Sequence, residues 1–365
     1  MISTSRFRQV STIARLQLRR VFFSRRSFWV YLLALFPTVI FTGHGLEVKL
    51  RREQWSSRVT PPAVLDSVRE GETEEEILKR APRPIYQHRP PGRRREQRGP
   101  GFVRERGAPS RSHLMYFDGS RRLDLFFESG ILQRRRIRPL VNFDEDQSVF
   151  AAVFQYFYLR LAVFFGCLGI FMNLFRGEML DKTLHFWFLL PVRREVLLAG
   201  KYLAGLIAAT LIFTAGAMLC FGAMLWPQDS AQVELYWREN GTSHLFWYAG
   251  AAALGCLGYG SVFLAAGLLP RNPIVPAVVL LIWEGINGFL PAILQKLSVI
   301  YHLQALYPVP VPMDPNMPAW LRLLLSPPEP TSAATAILGL LAVTGLVLWS
   351  ASRAVRRLEI NYGTD

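Results

Sequence analysis

Residues 148–175 read SVFAAVFQYFYLRLAVFFGCLGIFMNLF, an apolar stretch in which Arg160 is the only charged side chain. A hydrocarbon layer about 30 Å thick is crossed by about 20 consecutive, mostly apolar residues in an α-helix. The stretch is longer than this, so it predicts a membrane-spanning helix rather than a buried helix of a soluble protein.

Five further stretches of the chain have the same character. The six predicted spans are residues 28–48, 148–175, 201–226, 245–269, 274–295 and 333–352. Hydrophobic residues make up 51% of the chain and charged residues 19%, against about a quarter charged in soluble domains. Cys167, Cys220 and Cys256 lie inside apolar runs, which excludes a disulfide-rich scaffold. The sequence therefore predicts an all-α membrane protein with six transmembrane helices.

Lys and Arg are concentrated in alternate segments between these spans. They are frequent in residues 1–27, 176–200 and 353–365 and sparse in residues 228–244. Because short basic segments stay in the cytoplasm, we expect both termini to be cytoplasmic in a multi-pass protein of the cytoplasmic (inner) membrane. The arginine-rich insertion, residues 49–147, runs against this pattern. It exceeds the loop length of about 60 residues over which the rule holds, so we place it outside the cytoplasm.

The first segment, residues 1–27, has apolar side chains at helical spacing and arginines mostly on the opposite face. This pattern predicts an amphipathic helix lying in the headgroup layer. The alternative is a basic flank of the first span with chance periodicity. Pro37 within the first span and the lack of a small-residue cleavage site argue against a cleavable signal peptide.

The insertion divides into two parts by composition. Residues 58–112 are rich in Pro, Gly, Arg and Glu, so we expect them to be partly disordered, with a short helix in EGETEEEILKR. Residues 113–143 have apolar runs separated by Asp118-Gly119 and Ser129-Gly130, which predicts a small β-rich domain of two or three strands. Beyond the fifth span, residues 296–332 hold short apolar pieces broken by prolines, which favours external or re-entrant helices.

No catalytic or metal-binding motif is present in the sequence. The only Gly-Lys pair, Gly200-Lys201, lacks the first glycine and the Ser or Thr of a P-loop. The six histidines are scattered singly, without metal-ligand spacing. We therefore expect no enzyme activity, no catalytic residue, no metal and no cofactor in this chain.

The segment between the second and third spans carries the most specific pattern. Residues 175–206 read FRGEMLDKTLHFWFLLPVRREVLLAGKYLAGL, in which apolar and charged residues alternate before Pro191. Such a segment is either a helix parallel to the membrane or a docking site for a cytoplasmic partner. The Arg-Gly-Glu group, Thr183-Leu184, the run Leu190-Pro191-Val192-Arg193-Arg194 and Gly200-Lys201 resemble the membrane subunit of the type-2 ABC exporters.

The resemblance implies a permease that moves a substrate across the membrane while a separate ABC ATPase subunit hydrolyses ATP with Mg. In that family the corresponding link holds a coupling helix that sits on the ATPase. The implied partners are this ATPase, a second permease copy or a sister permease in a dimer, and membrane lipids, with no nucleic acid. The residues that would carry the contact are Arg176, Glu178, Asp181, Lys182, Thr183, Leu184, Pro191, Arg193 and Arg194. Alternatively, these residues only solvate an interfacial helix.

The large insertion departs from the minimal plan of that family and leaves the substrate open. A second interpretation therefore stands beside the first: a non-transporting membrane scaffold or sensor with an extracytoplasmic recognition domain.

Glu284 is the most unusual acidic residue, since it lies about eleven residues into the predicted fifth span. A charge near the middle of a membrane is costly and needs a partner. Arg160 is the basic residue at comparable depth, so we predict an Arg160–Glu284 pair. Its role could be structural, joining two helices, or functional, in gating or lining the substrate path.

Overall fold

The computed structural model describes residues 2–24, 27–88, 111–181, 183–189, 191–268, 274–311, 318 and 332–357. The chain is mostly helical and has one small antiparallel sheet. It divides into two compact units, one formed by Met1–Thr42 with Gln147–Asp365 and the other by Gly43–Asp146. We describe each unit separately and call them the helical unit and the sheet unit.

Within the part of the chain that the structure describes, five helical segments are long and apolar enough to cross a membrane, which supports the prediction of a membrane protein. They are Ser27–Ser56 (α2), Phe143–Met179, Arg194–Leu225 (α8), Ser230–Ala266 and Ala333–Arg356 (α14). The second of these joins α5 (Phe143–Ala152), a π-helical segment (Val153–Val163) and α6 (Phe164–Leu180) without interruption. The fourth joins α9 (Ser230–Tyr236), a short π-helical turn and α10 (Thr242–Ala266).

The fifth predicted span does not form one long helix, so the six-helix prediction is not confirmed. Helix α11 covers Ile274–Gly285 and is about 18 Å long at 1.5 Å per residue, which is too short to cross alone. A 3₁₀ turn and the four-residue helix α12 (Ala292–Gln295) follow. Ile286, at φ −93° and ψ 10°, leaves helical geometry directly after α11. Leu290 is extended because a proline, here Pro291, disfavours helical backbone in the residue before it.

Residues 296–311 contain one short helix that packs inside the bundle, and the prediction of external or re-entrant helices remains a prediction. Helix α13 (Val299–Gln304) is buried and packs against α10 and α14. The remainder of the predicted segment lies largely outside the described residues.

Helix α1 (Ile2–Phe23) is amphipathic, as predicted, but its apolar face packs against protein. Ile13, Ala14 and Val21 are buried, and the helix lies along the beginning of α8. The arginines of α1 are exposed on the other side. The helix is therefore part of the helical unit rather than only a basic flank.

The sheet unit contains four antiparallel strands in the order β1-β2-β3-β4. The strands are β1 (Tyr86–His88), β2 (Arg111–Phe117), β3 (Arg121–Glu128) and β4 (Ile131–Pro139). Ser129 and Gly130 both have positive φ, as a tight two-residue hairpin turn between β3 and β4 requires. The predicted β-rich domain at residues 113–143 is thus present, and β1 adds a strand that the sequence did not predict.

Two helices cover one face of this sheet. Helix α3 (Pro62–Asp66) was not predicted, whereas α4 (Glu74–Arg80) lies in the predicted helical run and begins with a capping box between Thr73 and Glu76. Leu65, Val68, Ile77 and Ala81 from this part of the chain pack against the apolar side of the strands. Residues 58–88 are therefore folded beyond the predicted short helix, because the sheet supplies the apolar surface that this segment lacks by itself. Residues 89–110 lie outside the described residues.

Candidate functional site

The link between α6 and α8 is a bent connection that contains one short helix, α7 (Leu184–Leu189). The backbone N–H of Thr183 donates to the carbonyl of Glu178 at 2.9 Å, and its hydroxyl donates to the same oxygen at 3.4 Å. Arg193 then takes an extended backbone conformation directly before α8. These local features hold α7 between two long helices.

Glu178, predicted to contact a partner protein, is instead buried near the end of α6 with 6% of its surface exposed. Its carboxylate accepts a hydrogen bond from Gln17 Nε2 at 2.9 Å and lies 3.6 Å from the guanidinium of Arg20. The Lys201 ammonium lies 2.5 Å from its other oxygen. We call Gln17, Arg20, Glu178 and Lys201 the polar junction. It joins α1, α6 and α8, so Glu178 has internal partners in this structure, and its contact with an ATPase remains a prediction.

Lys201 is fully buried, which is unusual for a lysine. Its ammonium also donates to the carbonyl of Leu174 and lies over the rings of Phe175, at 4.7 Å, and Trp187, at 5.6 Å. A buried ammonium without such partners is strongly disfavoured. The sequence indicated only a basic residue at the membrane boundary, and nothing in the local pattern showed that this lysine is internal.

An open cavity of about 310 Å³ lies beside the polar junction, between the α1–α2 connection and α6. Arg20, Ser27, Asn173 and Glu178 contribute polar groups to its wall, and Ile170 contributes apolar surface. The cavity gives solvent and small molecules a route to the surface of the junction.

The other predicted coupling residues differ in exposure. Asp181, Pro191 and Arg193 are exposed, and Leu184 is completely buried. Arg176, Thr183 and Arg194 are half-buried. Lys182 lies outside the described residues. Of the coupling residues that the structure describes, only Asp181, Pro191 and Arg193 are exposed to a potential partner.

Arg194 is directed toward the C-terminal end of the last helix. Its guanidinium donates to the carbonyl of Arg356 at 3.1 Å and more weakly to that of Val355 at 3.4 Å. The neighbouring Glu195 forms an ion pair with Arg356. Arg194 therefore ties the beginning of α8 to the end of α14, a role the sequence did not predict.

Helix α7 exposes apolar side chains that sequence reasoning did not single out. Phe186 is 61% exposed and Leu189 is 77% exposed, while Leu184 anchors the helix inside the protein. A short helix with one buried residue and an exposed apolar surface is suited to contact with lipid or protein. In the sequence, Leu184, Phe186 and Leu189 are all apolar, and only the structure shows that Leu184 is buried while the other two are exposed.

The predicted Arg160–Glu284 pair is not formed within the described part of the chain. The carboxylate of Glu284 accepts hydrogen bonds from Ser298 Oγ at 2.8 Å and from the backbone N–H groups of Val299, at 3.1 Å, and Ile300, at 3.0 Å. Glu284 therefore caps the first turn of α13, where a negative charge is favourable.

The guanidinium of Arg160 lies 5.7 Å from the centre of the Tyr156 ring. The Tyr259 hydroxyl donates to Glu284 at 3.3 Å and so completes the carboxylate's partners. Glu284 has these partners because the chain after Pro291 brings the first turn of α13 within hydrogen-bond distance of its carboxylate.

No group of three or more His, Cys, Asp or Glu side chains comes together at metal-binding distance among the residues that the structure describes. No family model matches the sequence, and no curated protein or solved structure matches it either. The resemblance to the type-2 exporter permeases therefore remains a prediction from the residues of the α6–α8 link.

Proposed function

We propose that this protein is the permease subunit of an ABC-type exporter, which moves a substrate across the cytoplasmic membrane with ATP hydrolysed by a separate subunit. The observation that carries the proposal is the combination of α7 and the polar junction. Helix α7 exposes Phe186 and Leu189, and both helices that flank it are joined by Glu178 and Lys201. A partner bound to α7 would act on two membrane helices at once.

The contacts at the junction suggest how a displacement would be transmitted. Thr183 connects the start of the link to Glu178, and the ring of Trp187 on α7 lies against the Lys201 ammonium. Gln17 extends the connection to α1. Because buried ion pairs resist separation, α1, α6 and α8 would move together when an ATPase pushes on α7.

The positions of helix ends support a cytoplasmic location for both termini. The end of α6, the start of α8, helix α1 and the end of α14 meet through the contacts of Glu178 and Arg194. The end of α10 also lies there, since a Cβ on Gly267 would be 3.1 Å from the Met172 carbonyl. These are the segments rich in Lys and Arg, so the positive-inside rule assigns this end to the cytoplasm.

The same geometry supports six crossings. Five long helices alone would leave α2 beginning and α14 ending on opposite sides, whereas both lie at the same end of the helical unit. We infer that the chain between α10 and α14 contains one more crossing, which α11 and α12 would provide in two pieces. On this topology the sheet unit is extracytoplasmic and the permease acts as a dimer with itself or a sister subunit.

A topology experiment tests the first requirement of the proposal. Single cysteines replace Leu189 in α7 and Gln133 in β4, in a background in which the buried residues Cys167, Cys220 and Cys256 are changed to Ala. We expect a membrane-impermeant maleimide to label Gln133→Cys in intact cells, and Leu189→Cys only after permeabilisation. Labelling of Leu189→Cys in intact cells would contradict the proposal.

A crosslinking experiment tests the partner. A photoreactive phenylalanine analogue at Leu189 should crosslink to a protein that carries a P-loop, and the same analogue at exposed Leu338 in α14 should not. If Leu189 crosslinks only to lipid although the protein is inserted and folded, the scaffold or sensor interpretation is favoured instead.

A further inference from the structure

The sheet unit has a second face, opposite the helices α3 and α4, that carries a continuous row of side chains. His88, His113, Phe126 and Arg134 are direct cross-strand neighbours, one from each of the four strands. The rings of His113 and Phe126 are parallel within 3° and their centres are 4.6 Å apart. Phe126 is nevertheless 40% exposed, so the row forms an apolar ridge with an arginine at its β4 end.

The β4 side of this face is an arginine stripe. Arg134, Arg136 and Arg138 are exposed and alternate along the strand, so their side chains share one face about 6.8 Å apart. None of the three forms an ion pair with an acidic residue in the described ranges. The nearby carboxylate of Asp124 is already engaged, at 2.8 Å from Arg122 Nε and 3.1 Å from His113 Nε2.

We propose that this face binds an extended acidic peptide segment of another protein, with Asp or Glu at alternate positions. An extended peptide repeats its side chains on one face at the same spacing of about 6.8 Å, so three carboxylates can meet Arg134, Arg136 and Arg138 in register. Arginine favours carboxylates because its planar guanidinium donates two parallel hydrogen bonds. The ridge of His113 and Phe126 then receives an apolar part of the same segment.

The peptide lies on the face of the sheet and does not add a fifth strand to β4. The outer edge of β4 is already used, since the Leu132 N–H donates to the Glu72 carbonyl and the Gly71 N–H donates to the Leu132 carbonyl. The Arg135 N–H donates to the carboxylate of Glu70, at 3.2 Å. Pro139 at the end of the strand has no N–H to offer.

The ring geometry favours a peptide over a single-stranded nucleic acid. Proteins that bind single strands offer free aromatic faces on which bases stack. Here His113 and Phe126 cover each other's faces, and His113 also lies 5.8 Å from the tilted ring of Tyr86. The rings thus form a ridge rather than a stacking surface.

The experiment measures the binding of labelled peptides to the full-length protein in detergent, by fluorescence anisotropy at low and high salt. The first probe is a nine-residue peptide in which three Glu alternate with three Thr, followed by an apolar Val-Leu-Val end. The second has the same composition with its Glu residues in one block. We expect the alternating peptide to bind roughly tenfold more tightly, a difference that salt reduces.

Two variants of the face and one matched control test which residues bind. The triple variant R134Q/R136Q/R138Q should weaken binding of the alternating peptide about tenfold, and Phe126→Ala should weaken it severalfold with the charge unchanged. The control R52Q/R69Q/R83Q removes three exposed arginines elsewhere in the sheet unit and should leave the affinity as it is.

Three outcomes would overturn the proposal. They are equal binding of the two peptides, unchanged binding by the triple variant, and tighter binding of an oligothymidine or of polygalacturonate than of the alternating peptide. Because the face belongs to the sheet unit and transport is assigned to the helical unit, a negative result would leave the proposed function standing.

Discussion

Gly200 of α8 lies so close to Ile13 of α1 that a β-carbon on the glycine would be 2.7 Å from Cγ2 of the isoleucine. The same β-carbon would be 3.2 Å from the carbonyl oxygen of Val10. This approach brings α1 near enough for Gln17 to reach Glu178. The missing side chain at position 200 is therefore a condition for the polar junction.

We expect Gly200→Ala to destabilise the protein by about 1–3 kcal/mol, because the added methyl group pushes α1 away from α8. The midpoint of thermal unfolding in detergent measures the effect. Gly222→Ala is the matched control, since it lies in the same helix and its β-carbon would meet nothing within 4 Å. Equal midpoints for the two variants would show that α1 does not pack on α8 as described.

The ion pair of the polar junction should show strong coupling in a double-mutant cycle. Glu178→Met leaves the buried Lys201 ammonium without its ionic partner and should cost about 3–5 kcal/mol, whereas Lys201→Met leaves Glu178 with Gln17 and Arg20 and should cost less. The double variant removes both charges and should cost much less than the sum. Additive costs, measured by denaturant unfolding, would mean that the two side chains do not meet.

Exposed residues of the α6–α8 link should affect coupling without affecting stability. Asp181→Lys and Arg193→Glu change charges at the surface, so the free energy of unfolding should change by less than about 0.5 kcal/mol. If the proposed function is correct, both variants should lower the transport-coupled rate of ATP hydrolysis by the complex of permease and ATPase in reconstituted vesicles. Glu53→Lys, an exposed change in the sheet unit, should leave hydrolysis intact.

Glu284 should stabilise the protein through its hydrogen bonds to the start of α13 and not through an ion pair with Arg160. Glu284→Leu leaves the N–H groups of Val299 and Ile300 without their acceptor and should cost about 1–3 kcal/mol or more. Ser298→Ala, which removes one donor to the carboxylate, should cost less. The coupling between Glu284→Leu and Arg160→Met should stay below about 1 kcal/mol, and a larger coupling would contradict the absence of a direct ion pair.

The turn between β2 and β3 should make the sheet unit sensitive to acid. Burial acts to raise the pKa of Asp118, but hydrogen bonds from the backbone N–H groups of Arg121 and Ser120 outweigh it and lower the pKa. A lowered pKa in the folded state stabilises the fold above the unfolded value of about 3.9, and this stability is lost as the pH falls through the folded value. Asp118→Asn should therefore lower the unfolding midpoint at neutral pH, and this effect should shrink as the pH falls below the unfolded value and through the lowered pKa of the folded state.

Several features follow from local sequence because local physics determines them. The apolar runs predict helices of membrane-spanning length, since the backbone has no other way to satisfy its hydrogen bonds in lipid. Ser129-Gly130 predicts a hairpin because both residues tolerate positive φ in a two-residue turn. The short helix in EGETEEEILKR is also a local feature, since its first residues form a capping box between Thr73 and Glu76.

The partners of the buried charges could not be predicted in this way. Glu178 and Gln17 are 161 residues apart, and a surface position was the reasonable expectation for a glutamate in a basic link. The partners of Glu284 depended on a chain reversal that begins at Pro291. Sequence spacing thus specified which segments are helical and which are apolar. Only the packing of α1, α6 and α8 decided that Lys201 and Glu178 face each other, because the cost of burying a charge depends on what surrounds it in three dimensions.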